Sequence, residues 1–535
     1  MRRTRGERGG IGRARTAGSR RLTFARYAAA VGLLAAVPAA ASGTAPNPTT
    51  PPGASLAPPL STSLLSPRRL PDWLVTTVAH DRLDAAVGPL LSAKALGPAA
   101  ASTCALATQG STVLVSHAPT TELIPASNLK LLTATAALEK LGPDFVFTTV
   151  VRADNKPVAG VVHGNLYLVG SGDPVLRTQP YVSSLPYAEP EYTSLEQLAK
   201  QVVDAGVTEI TGSVVGDEGL FDTQRFVPTW KTTYAAEGDV GPLSALDVND
   251  GFVLTNGYYI DAAQPAQSAA DQFATLLAAD GVKFAAAKRP PPPPAKPPAP
   301  GKPPPKPPPP SLATPAGNPA TPTANPNLPA AAGATPPSSV TITAIDSPPL
   351  YEIVQTILRA SDDTGAELLT KELGARFGEG GTTAAGVAVI RADLAADGLP
   401  VTEMQTVDGS GLDRSDRVTC QLILDDLLHE GPTSSIAGGL PVAGKTGTLE
   451  RRLTSPLTAG RILAKTGYLD DVSSLSGFVL PRPGTPPAPG LAPGLVFSLI
   501  VDGLSTDAGD ALTDNLATAL ATYPDVPPVS SVSPG

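Results

Sequence analysis

Histidine, cysteine and aromatic side chains are scarce in this chain, and each scarcity closes off a class of function. The four histidines, His80, His117, His163 and His429, stand apart without ligand spacing, so no metal site is expected from them. No glycine-rich phosphate loop is present, and no motif calls for a cofactor. Aromatics make up only 4% of the 535 residues, so the cores must be built from the plentiful Ala, Val and Leu. Acidic residues outnumber basic ones, and the net charge of -9 argues against a nucleic-acid partner. An anionic polymer would likewise need a local site, since bulk charge would not attract it. Beyond residue 42 no segment is apolar and long enough to span a membrane.

What is abundant is proline, 60 in all, gathered in segments that cannot build a core. The chain starts strongly basic. Tyr27 to Ala41 is apolar but short of the roughly 20 residues of a membrane helix, and Pro38-Ala39-Ala40-Ala41-Ser42 ends it with small residues. Residues 1–42 read as an export signal, with an uncleaved membrane anchor as the alternative. Residues 43–72 form a Pro/Ser/Thr-rich linker, and 290–345 a proline-rich insert expected to be disordered. In an exported chain the only two cysteines, Cys104 and Cys420, suggest a disulfide; two separate buried thiols are the other reading.

Between these segments the pattern is mixed. A hairpin is expected over Cys104 to Val115 and helices over Leu350 to Arg359, Ala366 to Phe377, Leu422 to His429 and Ala508 to Ala521. Strands are expected at Ser473 to Leu480 and Leu495 to Val501. A strand-rich start, helical centre and strand-rich end predict one α/β (α+β) unit, 73–145 with 346–528, whose sheet uses both ends of the chain. Residues 146–289 would be inserted α+β structure. Asp425-Asp426 reads as a solvated helix face.

The chemistry concentrates in two short motifs. Ser127 and Lys130 are spaced i and i+3 on a helix-like run, one turn apart on the same face, where an unprotonated amine can take the serine proton. Lys-Thr-Gly occurs twice. Lys465-Thr466-Gly467 precedes Tyr468 within an apolar run and reads as an edge strand lining a cleft; Lys445-Thr446-Gly447, followed by Glu450, Arg451 and Arg452, reads as a loop. Asp408-Gly409-Ser410-Gly411-Leu412 lacks the first glycine of a nucleophile elbow and reads as a turn near the site.

Pro125-Ala126-Ser127-Asn128-Leu129-Lys130, Gly164-Asn165-Leu166, Gly170-Ser171-Gly172-Asp173-Pro174, Gly241-Pro242-Leu243-Ser244, Asp408-Gly409-Ser410-Gly411-Leu412 and the segment around Lys465 follow one order over about residues 100 to 505. Together they resemble the D-alanyl-D-alanine carboxypeptidase/endopeptidase family, the class C low-molecular-mass penicillin-binding proteins. The resemblance implies a penicillin-binding transpeptidase/β-lactamase-like domain with inserted β-rich domains. It also implies a serine peptidase that acts on peptidoglycan stem peptides through an acyl-enzyme and is inhibited by β-lactams. It makes Ser127 the nucleophile, Lys130 its base and Ser361 a proton relay. Lys465 and Thr466 would hold the substrate carboxylate, Asp363 and Gly467 would belong to the same substrate site, and the oxyanion would sit between the N–H groups of Ser127 and Tyr468. Two departures stand out. In Ser361-Asp362-Asp363 the family's asparagine is replaced by Asp363, which only accepts when ionised and whose charge favours a protonated lysine. Tyr468 stands where the family usually has a small hydroxyl residue. A β-lactamase and a catalytically weak wall-binding protein are the rival readings.

Overall fold

The computed structural model describes residues 72–187, 191–255, 258–285, 335–482 and 494–524. The segment expected to be an export signal, nearly all of the expected 43–72 linker and the proline runs lie outside the described residues. Helix α1 (Asp72–Val87) leads into strands β1 (Thr103–Gln109) and β2 (Thr112–His117). Helix α2 (Leu129–Leu141) follows a 3-10 turn at Ala126–Asn128 and is buried on every side from Leu129 to Leu138, its Leu and Ala side chains in the core and Lys130, Thr133 and Thr135 the polar groups buried with them. Gly142, at φ 88°, ends it.

The insertion then supplies β3 (Thr148–Ala153), β4 (Leu166–Val169), helix α3 (Leu195–Asp204), β5 (Val214–Asp217), helix α4 (Pro265–Ala279) and β6 (Val340–Asp346). Its four-stranded sheet runs β6-β3-β4-β5. This corrects the expected boundary at 345. The proline-rich composition stops near Pro337, and the β-branched run Val340-Thr341-Ile342-Thr343 pairs antiparallel with β3, from Val340 opposite Ala153 to Asp346 opposite Thr148. Residues 335–346 therefore belong to the inserted fold.

The chain returns through α5 (Leu350–Ala360), α6 (Asp363–Phe377), α7 (Thr383–Ala396) and α8 (Cys420–Glu430), then β7 (Ile462–Leu469), β8 (Val472–Val479), β9 (Leu495–Asp502) and α9 (Thr506–Thr522). The main sheet has the order β7-β8-β9-β1-β2, antiparallel throughout, so strands from both ends of the chain meet at the β9–β1 pair. Alternate residues of β1 serve two cores. Cys104 and Leu106 pack with α2, α5 and α8, while Ala105 and Ala107 pack with α1 and α9. Every residue of β8 is buried, as a strand covered on both faces must be. Cys104 and Cys420 are joined, with an S–S distance of 2.01 Å, tying β1 to the start of α8. Asp425 is half-buried, but Asp426 is fully buried, so the expected solvated face is a correction: α8 is turned so that Asp426 meets α2 and Leu428 faces outward. Among the described residues no helix is long and apolar enough to cross a membrane.

Candidate active site

Ser127 lies in the 3-10 turn that opens α2, and Lys130 follows on the first helical turn, its Nζ 3.0 Å from Ser127 Oγ. Ala126, at φ 46°, sits in the left-handed region that sends the chain sharply into the helix. Strand β8 fixes this turn from beneath: Ser474 Oγ donates to Pro125 O at 2.7 Å, and Asn128 Nδ2 donates to Ser476 Oγ at 2.8 Å. Gly467 of β7 is required by the same closeness. A Cβ there would stand 2.3 Å from Ser474 Oγ and 2.9 Å from Ser127 N.

The second motif straddles two helices. Ser361 ends α5 at φ 62°, and Asp362 caps α6 by accepting from Gly365 N at 2.8 Å. Asp363, the first residue of α6, places its carboxylate on Lys130 Nζ. Lys130 Nζ also donates to Ser410 O at 2.7 Å. Across the site, Lys465 Nζ donates to Ser361 Oγ and to Thr466 O, each at 2.8 Å. Two serine–lysine pairs thus face each other, with Asp363 charged towards both amines. Burial pushes the Asp363 carboxyl upward, and Lys130 pulls it back. Burial drives Lys465 well below the usual lysine range; Lys130 pushes the same way and Asp363 opposes.

A cavity of about 300 Å³ opens beside Ser127, Asp363 and Tyr468, with Lys231, Glu237 and Asp239 on its other side. The edge strand β7 lines it through Tyr468 and Leu469, but Lys465, Thr466 and Gly467 are buried next to it, which corrects the expectation that the lysine and hydroxyl line the cleft. The reason is local: the lysine amine turns to Ser361, and the Thr466 hydroxyl is 2.7 Å from that of Thr448. Tyr468 remains partly exposed, its hydroxyl held by Arg452, which also pairs with Asp514 at 2.7 Å. Thr448 and Arg452 both come from the segment after Lys445, which does lie in a turn. A second unforeseen group is Arg177, fully buried, whose Nη2 reaches Asp362 Oδ2 and Asp250 Oδ1 at 3.0 Å each. Nothing in local sequence links Arg177 to a residue 185 positions away.

The sequence profile of the D-Ala-D-Ala carboxypeptidase 3 (S13) family matches residues 83–289 and 330–523. The chain belongs to that family. Its activity is that of a serine-type D-Ala-D-Ala carboxypeptidase. A D-alanyl-D-alanine carboxypeptidase of Actinomadura sp. (strain R39) is 29% identical over 441 residues, covering 75% of this chain and 77% of that protein. A carboxypeptidase of Mycobacterium tuberculosis is 26% identical over 410 residues, covering 74% and 75%. In fold the chain is similar to penicillin-binding protein 4 of Haemophilus influenzae, at a TM-score of 0.56 and 17% identity over 78% of this chain and 94% of that one.

Proposed function

We propose that this carboxypeptidase acts on peptidoglycan stem peptides outside the cytoplasm, with Ser127 as its acylated nucleophile. The observation that carries the reading is the 3.0 Å approach of Lys130 Nζ to Ser127 Oγ. Unprotonated Lys130 takes the hydroxyl proton as Oγ attacks the carbonyl of the penultimate D-Ala. The N–H groups of Ser127 and Tyr468 hold the oxyanion, each such donor typically contributing about 3 kcal/mol. Ser361, hydrogen-bonded to Lys465, passes a proton to the amine of the departing D-Ala. Thr466 and Lys465 hold the terminal carboxylate once the bound peptide has displaced their present partners. Water then releases the acyl group.

A D-amino-acid cross-link offers the same amide to the same serine, so endopeptidase activity follows from the same chemistry. A β-lactam acylates Ser127 too, but its leaving amine stays tethered and the acyl-enzyme persists. The N-terminal basic and apolar segment would export the chain, either cleaved or kept as an anchor. Incubation with a fluorescent penicillin tests the nucleophile. Wild type is labelled and Ser127→Ala is not; equal labelling of the variant overturns the assignment. Release of D-Ala from a wall pentapeptide, absent in Ser127→Ala, separates a working peptidase from a protein that only binds wall fragments.

A further inference from the structure

The turn Asp408–Leu412 takes no part in the steps above, yet it touches the base. Lys130 Nζ has three oxygen neighbours: Ser127 Oγ, Asp363 Oδ1 and the Ser410 carbonyl. An unprotonated amine has two N–H groups and one lone pair. With Asp363 and Ser410 O taking the two hydrogens, the lone pair is left facing Ser127. Remove the Ser410 carbonyl from its place and the amine is free to rotate its lone pair away.

That carbonyl is held with care. Glu367 Oε1 accepts from Gly409 N at 2.8 Å and Ser410 N at 2.7 Å, while Thr133 Oγ1 donates to Gly409 O at 2.7 Å. Asp408 closes the turn on itself by accepting from Gly411 N at 2.8 Å, and Trp230 Nε1 donates to its other oxygen at 2.7 Å. Gly409 presses on α6 so closely that a Cβ would lie 1.8 Å from Thr370 Oγ1. Glu367 is wholly buried and four residues after Asp363 on α6, so one helix face carries both acids. One reaches Lys130 directly, the other through the turn. Burial pushes the Glu367 carboxyl up to about 8 and the facing Asp408 carboxylate pushes the same way, while the Ser410 hydroxyl and the Gly409 and Ser410 N–H groups oppose.

We propose that Glu367 is a positioning residue for the acylation step: by gripping Gly409 N and Ser410 N it fixes the Ser410 carbonyl that aims the Lys130 lone pair at Ser127. This rests on Ser127 and Lys130 acting as nucleophile and base.

The test is stopped-flow acylation by a penicillin, resolving the first-order acylation rate from the preceding dissociation constant. Wild type must be acylated at Ser127; if it is not, the nucleophile assignment fails and not this inference. Glu367→Leu, which cannot accept, should lose about ten- to a hundredfold in acylation rate, the cost of a misplaced group, with the dissociation constant unchanged. Glu367→Gln keeps an acceptor oxygen and should recover most of the rate. Across a pH series the plateau for Glu367→Leu should fall while its midpoint stays. Should Glu367→Leu not fold, Thr133→Val, which frees the other side of the turn, should lower the acylation rate alone by a few-fold. Three results overturn the proposal: a folded Glu367→Leu with the wild-type rate, equal losses in rate and affinity, or a Glu367→Gln as impaired as Glu367→Leu with a displaced midpoint. The last would make charge, and not position, the contribution of Glu367.

Discussion

Asp363 is the residue on which the chemistry of this site turns. An asparagine at this place would both accept from Lys130 and donate to the substrate amide; the carboxylate only accepts. It also pairs electrostatically with Lys130, an attraction that must be surrendered when the amine gives up its proton. Asp363→Asn should therefore speed acylation by a penicillin by about ten- to a hundredfold, the worth of one donor bond to developing charge. The gain should be largest where Asp363 is ionised and should fade on acidification. Because burial raises this carboxyl, the fade begins at higher pH than for an ordinary aspartate. Abolished acylation in Asp363→Asn would mean that this chain uses the acid itself.

Helix α8 shows how an element can bury an acid that its sequence pattern places in solvent. Asp426 is 0% exposed, beside Thr135 of α2, and burial pushes its carboxyl up to about 8; Glu430 and Glu139 push the same way, while His429 opposes. Unfolded, the same group titrates near 3.9. Between these values the folded chain holds a proton that the unfolded chain has released, so stability is full below about pH 4 and is lost as pH rises towards 8. Asp426→Asn keeps the shape and cannot ionise. Its melting temperature should exceed that of wild type at pH 8 by more than at pH 5. Equal differences at the two pH values would show that Asp426 is not protonated in the fold.

At the scale of the whole molecule, the Cys104–Cys420 bond joins positions 316 residues apart. It closes a loop that contains α2, the whole insertion and α5 to α7, and it fastens the β1 strand to the helix packed on its face. Constraining so long a loop in the unfolded chain stabilises the fold, typically by about 2–5 kcal/mol in native disulfides. Replacing both cysteines with serine should lower the denaturant midpoint accordingly. Neither cysteine lines the cavity beside Ser127, so the folded variant should still be acylated by penicillin at the wild-type rate. An unchanged midpoint would show that the bond does not contribute.

Local pattern alone determined much of this protein. The i, i+3 spacing of Ser127 and Lys130 is a property of any helix start, and the hairpin at β1–β2 and the helices α5, α6, α8 and α9 are written in residue periodicity, whereas α7 is not read from it. The antiparallel edge strand carrying Lys465 could be told from the loop at Lys445 by the apolar run that follows it. What only the tertiary structure decided are matters of partners far apart in sequence. Val340–Asp346 becomes a strand because Thr148–Ala153 lies next to it, although proline precedes it in the chain. Asp426 is buried because α8 turns that side to α2. Arg177 meets Asp362, Glu367 meets the 409–410 turn, and Thr448 and Arg452 meet Thr466 and Tyr468 only through the tertiary fold. Periodicity reports which face of an element is apolar; it carries no information about which polar group will stand opposite. That choice is made by packing.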